Sequence, residues 1–175
     1  MKIKKYKMKS LKKILEDSVL DIEGTLKDGD RFAAEKEFNE MFYCSILTPG
    51  KMSYTISNKP NRDGKYEIRV KVKKGAELCV NNKYLSETGA NTLEAKYFIL
   101  KRVDGKMEIS TCPIINLKGS PEIVNGDYRV AYCSNLQSYE GIPKKVTNCI
   151  SFSKNGKYFS RYDIEKVCDA GLYLC

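Results

Sequence analysis

Val103-Asp-Gly-Lys-Met107-Glu-Ile109 and Val124-Asn-Gly-Asp-Tyr128-Arg-Val130 are one frame written twice, 21 residues apart. A third copy, Val146-Thr-Asn-Cys-Ile150-Ser-Phe152, follows 22 residues later. The segments between the copies also match: Leu117-Lys-Gly-Ser-Pro121-Glu-Ile-Val124 aligns with Tyr139-Glu-Gly-Ile-Pro143-Lys-Lys-Val146. Cys112 and Cys133 each sit nine residues past the Val of their frame. A repeat of this length holds one short strand and one Gly/Pro bend, and it cannot bury its apolar side chains alone. Stacking the copies buries them. The spacing therefore predicts a solenoid with Val103, Val124 and Val146 in one column. Met107, Tyr128 and Ile150 form a second column, and Ile109, Val130 and Phe152 a third, with neighbouring strands about 4.8 Å apart. The competing reading is an ordinary antiparallel sheet with similar turns, which leaves the matched G-x-P-x-x-V segments unexplained.

Outward from the repeats, Ser160-Arg-Tyr-Asp-Ile-Glu-Lys-Val-Cys168 predicts a short helix with Ser160 as its N-cap and Asp163 in its first turn. Gly171-Leu-Tyr-Leu-Cys175 predicts a last strand, and together they are expected to cap the open end of the stack. Upstream, Met52, Tyr54 and Ile56 alternate with Ser53, Thr55 and Ser57. The loop Asn58-Lys-Pro-Asn-Arg-Asp-Gly64 and the alternating Tyr66, Ile68, Val70 and Val72 complete a predicted hairpin. Before it, a helix is expected from about Asp30 to Cys44, burying Ala34, Phe38, Met41 and Phe42. Residues 8–23 predict another helix, with Met8, Leu11, Leu15, Val19 and Ile22 on one narrow stripe suited to docking on a partner. Gly24-Thr-Leu-Lys-Asp-Gly-Asp30 separates the two as a flexible joint. The expected fold is α+β: N-terminal helices, a β-hairpin region, then a short repeat solenoid with a helical cap. The expected organisation is a basic helical segment at 1–24 and one domain at 25–175, with the repeats at about 103–175.

Net charge is +9, and the first 13 residues hold seven Lys and no acid. Such a balance favours acidic protein surfaces, anionic lipid or nucleic acid, and equally describes a solvated Lys-rich surface. An export signal would need an unbroken apolar core after the basic start, whereas acids interrupt Lys13-Ile-Leu-Glu-Asp-Ser-Val-Leu-Asp-Ile-Glu23. No run reaches the length of a membrane span, so no membrane partner is expected. Seven cysteines, an odd number without a C-x-x-C pair, predict buried free thiols in a reducing compartment, with Cys112 and Cys133 adjacent and unbonded.

The run Leu117–Val146 and the end Asn155–Cys175 resemble the degenerate leucine-rich-repeat-like proteins of large tailed bacteriophages, in repeats of the form L-x-G-x-P-x-x-V-x-G followed by C-S-x-N. Tyr139 in place of Leu and Asn148 in place of Gly depart from that pattern. Met8-Lys-Ser-Leu-Lys-Lys-Ile-Leu-Glu-Asp-Ser-Val-Leu-Asp-Ile-Glu23-Gly24 is similar to the Lys-rich leaders of internal head proteins of such phages. That resemblance implies docking on a capsid or other head protein through Met8, Leu11, Leu15, Val19 and Ile22, and maturation cleavage between Glu23 and Gly24. It also implies location in the virion, and in the host bacterial cytoplasm during assembly.

Catalytic signals are sparse. The chain contains no His, so Ser-His-Asp and Cys-His arrangements and the usual His-bearing metal sites do not arise. No phosphate-binding or dinucleotide-binding glycine motif is present. Glu35 and Glu37 read as charges on a helix face. The expectation is a non-enzymatic phage structural or cargo protein that binds other proteins, with no cofactor, no metal and no small-molecule substrate. The alternatives are a phage protein acting on a host protein in the cytoplasm, and a basic head protein associated with packaged DNA.

Overall fold

The computed structural model describes residues 30–45 and 50–174. Helix α1 covers residues 30–41, followed by strands β1 (Phe42–Cys44), β2 (Met52–Ile56), β3 (Tyr66–Val72) and β4 (Glu77–Val80). Helix α2 (Asn82–Thr88), strands β5 (Phe98–Asp104), β6 (Lys106–Ser110), β7 (Ile123–Asn125), β8 (Tyr128–Ala131) and β9 (Lys145–Ser153), helix α3 (Arg161–Glu165) and strand β10 (Asp169–Leu174) complete the described residues.

All ten strands belong to one mixed sheet, in the order β1-β4-β6-β8-β9-β7-β5-β3-β2, with β10 beside β9. The sheet curls into a nearly closed barrel around a single cluster of buried side chains. This corrects the expected α+β fold with a leucine-rich-repeat-like solenoid and helical cap. The expectation treated each frame as one strand. Instead Gly105 and Gly126 turn a corner inside the first two frames, splitting each into two strands. The third frame runs straight through its corner as β9. Its first residues pair with β7 (Val124 with Val146) and its last with β8 (Tyr128 with Ile150), so β9 welds two parallel ladders into one sheet. Strands β3 and β4, which lie outside the repeat, extend those ladders, and the antiparallel β1 and β2 end them.

Within this different architecture the three columns are in register. Val70, Val103, Val124 and Val146 are successive Cα partners, as are Leu78, Met107, Tyr128 and Ile150, and Ile109, Val130 and Phe152. All are buried. The corners stack closely: a Cβ on Gly126 would lie 2.3 Å from the Gly105 carbonyl oxygen. Side chains lace the same corner, with Asn125 Nδ2 donating to Asp104 Oδ1 at 2.5 Å and Asn148 Nδ2 donating to Asp127 Oδ1. Partial burial alone raises the carboxyl pKa of Asp104, but the Arg102 guanidinium and the Asn125 amide outweigh it and hold the group below the usual range.

The hairpin β2–β3 forms as the alternation predicts. The helix expected to reach Cys44 stops at residue 41, and Phe42–Cys44 becomes a strand instead, because β4 offers it a ladder partner. Ala34, Phe38 and Met41 of α1 close one end of the core, with the Phe38 ring 4.8–5.7 Å from those of Tyr54, Phe42 and Phe98. At the other end Ser160 caps α3 and Asp163 occupies its first turn, as the pattern predicts. The last strand predicted from Gly171 onward forms as β10, parallel to β9.

Candidate functional site

Met8, Leu11, Leu15, Val19 and Ile22, and the Glu23–Gly24 bond, lie outside the described residues, so the stripe and the cleavage site carry no structural description here. The chemistry that can be placed lies elsewhere. Glu37, read from sequence as a surface charge, is a clamp: its carboxylate accepts the Lys96 and Tyr97 amides at 2.9 Å each. Glu35 accepts the Tyr54 hydroxyl at 2.8 Å. Both carboxylates hold α1 to the sheet.

Cys112 and Cys133 each follow a paired strand residue by two positions and are buried, with the Cys112 thiol donating to the Ser110 carbonyl at 3.3 Å and the Cys133 thiol to the Ala131 carbonyl at 3.5 Å. The Cys133 thiol and burial together push Cys112 well up from the ordinary thiol value. Burial, then the neighbouring Glu108 and Glu77 carboxylates, push Cys79 up to about 11. The six described cysteines are free. The raised values of Cys79 and Cys112 describe protonated, poorly nucleophilic thiols. Among the described residues no group of three or more Cys, Asp or Glu is arranged to hold a metal ion, and no helix is long and apolar enough to cross a membrane.

The outward rows of the sheet explain where an interface can form. One row reads Tyr43, Cys79, Glu108, Arg129, Ser151, Leu174, each the Cα partner of the next. Arg129 Nη1 lies 3.8 Å from Glu108 Oε2. Beside this row Lys106 reaches Glu77 at 3.9 Å and Asp127 at 3.3 Å. On the other ladder Thr55, Arg69, Arg102, Ile123, Lys145 and Asp169 form a row ending in the 4.0 Å pair Lys145–Asp169. These charges are largely matched on the surface itself, where each exposed pair contributes about 0–1 kcal/mol.

The pattern breaks at β10. Leu172 and Leu174 point outward and are 51% and 53% exposed. Val167, Tyr158 and Tyr162 at the same end are also exposed. Strand β10 pairs only with β9 among the described residues. The first part of its outer edge is latched by its own side chain: Tyr173 Oη accepts the Ala170 N–H at 2.9 Å and donates to the Cys168 carbonyl at 2.7 Å. Arg161 lies over the Tyr173 ring at 5.6 Å. Tyr173→Phe keeps the ring and removes both bonds, an expected cost of about 1 kcal/mol. Hydrogen exchange should show faster exchange at Ala170 and its β10 neighbours, with β5–β8 unchanged; unchanged β10 exchange would mean that the latch does not hold the strand.

The sequence contained a signal for this end. Gly171-Leu-Tyr-Leu has no polar residue alternating with its apolar ones, so one face of a strand there must expose leucine. Reading that strand as a cap passed over what its outer face presents.

Compared with protein-family models, with curated proteins and with solved structures, the chain has no significant match. The comparisons thus lend nothing to a phage or virion assignment.

Proposed function

We propose that the protein works by binding another protein, and that the outer face and edge of β10 form its docking surface. The observation that supports this is the exposure of Leu172 and Leu174 on a strand that pairs only with β9 among the described residues, beside the polar outward positions Ser151, Arg129 and Glu108. Apolar side chains on an edge strand favour a partner that covers them and continues the sheet. Residues 8–23 are a second contact, with their narrow apolar stripe acting as a tether. On the likeness of that segment to head-protein leaders, the partner is a head protein of a tailed phage.

The test is quantitative mass spectrometry of particles assembled with the full chain, with Leu172→Lys/Leu174→Lys, or with residues 1–23 deleted. Both variants should melt near the parent temperature, because the substituted leucines are half exposed and the stripe is too narrow to belong to a core. Both should fall at least about tenfold in particle abundance, a coupling of about 1.4 kcal/mol. Absence of the parent chain from particles removes the head-protein partner. Undiminished incorporation of the double-Lys variant removes β10 as the docking surface.

A further inference from the structure

The loop between β9 and α3 carries a different kind of surface. Asn155 fixes it from the inside: its Oδ1 accepts the Cys133 amide at 3.0 Å and its Nδ2 donates to the Val130 carbonyl at 3.1 Å. The Gly156 amide adds a bond to the Cys133 carbonyl at 3.0 Å. Phe159 turns inward against Phe152 and Tyr139, with ring centroids 5.4 and 5.7 Å away. With the loop anchored at Asn155 and Phe159, the residues between and beside them project outward. Tyr158 is 77% exposed, Tyr162 68% and Tyr132 47%. Lys154, Lys157 and Tyr158 line a cleft of about 210 Å³ with Phe152 and Phe159 at its base.

Cations accompany these rings. Lys154 Nζ lies 5.2 Å from the Tyr132 centroid and Lys166 Nζ 3.8 Å from that of Tyr162. The carboxylates of α3 are engaged by its own cations, Glu165 by Arg161 at 2.5 Å and Asp163 by Lys166 at 4.0 Å. Lys154 and Lys157 have no carboxylate within 4.0 Å among the described residues. The surface therefore offers flat π-faces and two uncompensated positive charges on a loop whose backbone is already ordered.

We infer that this corner, Tyr132, Lys154, Lys157, Tyr158 and Tyr162, binds single-stranded nucleic acid. Unpaired bases stack on exposed aromatic rings, while cations beside the rings meet the phosphates. Duplex bases are already stacked and would use only the lysines. An acidic peptide would pair with the lysines and leave the rings unused. The inference stands apart from the docking at β10, since it rests on the tyrosines and lysines and not on Leu172 or Leu174.

The test is fluorescence anisotropy of the full chain with a labelled 15-nucleotide oligothymidylate, a duplex of equal length and polyglutamate, across a salt series. The single strand should bind tighter than the duplex, and polyglutamate should not compete. Tyr158→Ala and Tyr162→Ala should each weaken single-strand binding by about fivefold or more. Lys154→Ala/Lys157→Ala should flatten the salt dependence by about 1.4 in log–log slope. Lys73→Ala/Lys74→Ala, in the turn between β3 and β4, controls for loss of net charge. The inference is overturned by no binding of the single strand, or by binding indifferent to both tyrosines, which leaves only bulk charge and the Lys-rich first 13 residues. Capture of polyglutamate in preference to oligothymidylate overturns it in favour of an acidic protein surface.

Discussion

Val124→Asp should leave the chain largely unfolded, or destabilised by about 3–5 kcal/mol, the cost of an uncompensated buried charge. Val124 has no exposed surface and lies between Val103 and Val146, its Cα partners on β5 and β9. Among the described residues no charged side chain is buried, so nothing in the core would pair with the new carboxylate. Position 124 also sits where β7 hands the first ladder on to β9, so the damage reaches the strand that joins the two ladders. Lys118→Asp is the matched control. Lys118 is half-buried, and its ion pair with Glu140, at 3.0 Å, lies at the surface. Its loss should cost about 1 kcal/mol or less. Urea titration followed by far-ultraviolet circular dichroism measures both. Equal midpoints for the Val124→Asp variant and the parent would show that the column is not the core.

The columns were legible because a repeat writes its register twice. An offset of 21 or 22 residues between similar frames can only be the length of chain between stacked neighbours, so Val103, Val124 and Val146 could be aligned without knowing the strand order. The architecture was not legible, because it depends on what happens inside a frame. Asp104-Gly105 and Asn125-Gly126 look like bends between strands only when both sides are already known to be extended. Thr147-Asn148 occupies the same place in β9 without interrupting it. Strands β3 and β4 have no repeat signature, yet they pair with β5 and β6 in the same parallel sense. The alternation of Tyr66, Ile68, Val70 and Val72 predicted β3 but not its parallel neighbour, and β4 was not predicted at all. Counting rungs by repeat therefore found only part of the sheet.

The site residues were harder to read for a different reason. Leu172, Leu174, Tyr158 and Tyr162 are informative because they are exposed, and apolar residue type points the opposite way. Tyr128 shows the contrast. It is fully buried, its hydroxyl is 2.9 Å from Ser120 Oγ, and burial pushes its pKa up. Tyr128 and Tyr158 are the same residue type in strand-like surroundings, one packed in a column and one projecting from a loop. Only the register of β8 and the anchoring of the 154–159 loop by Asn155 and Phe159 separate them. Glu37 is the converse case, a charged residue whose clamp on two backbone amides has no sequence pattern at all.

Gly119→Ala should be among the most damaging single-methyl additions available to this chain. Gly119 has φ +89, and a Cβ there would lie 2.1 Å from both the carbonyl carbon and oxygen of Leu93. Those are backbone atoms, and the Leu93 amide already donates to the Lys118 carbonyl at 2.8 Å. The two segments cannot separate without breaking that bond and opening the core beside Leu93 and Leu117, both buried. Gly141, 22 residues on, repeats the arrangement: its Cβ would lie 2.4 Å from the Lys118 amide nitrogen. The glycines of the matched bends thus let one layer of chain rest directly on the next. Gly64→Ala isolates the steric part. Gly64 has a similar φ of +76 but nothing within 4 Å of the added methyl, so it should cost only the left-handed backbone penalty of about 1–2 kcal/mol. Gly119→Ala carries that penalty and the overlap, and about 3 kcal/mol or more in total is expected. Denaturant midpoints for the two variants, measured side by side, give the difference directly. If Gly119→Ala is no worse than Gly64→Ala, the layers are not in backbone contact, and the bends serve only to reverse the chain.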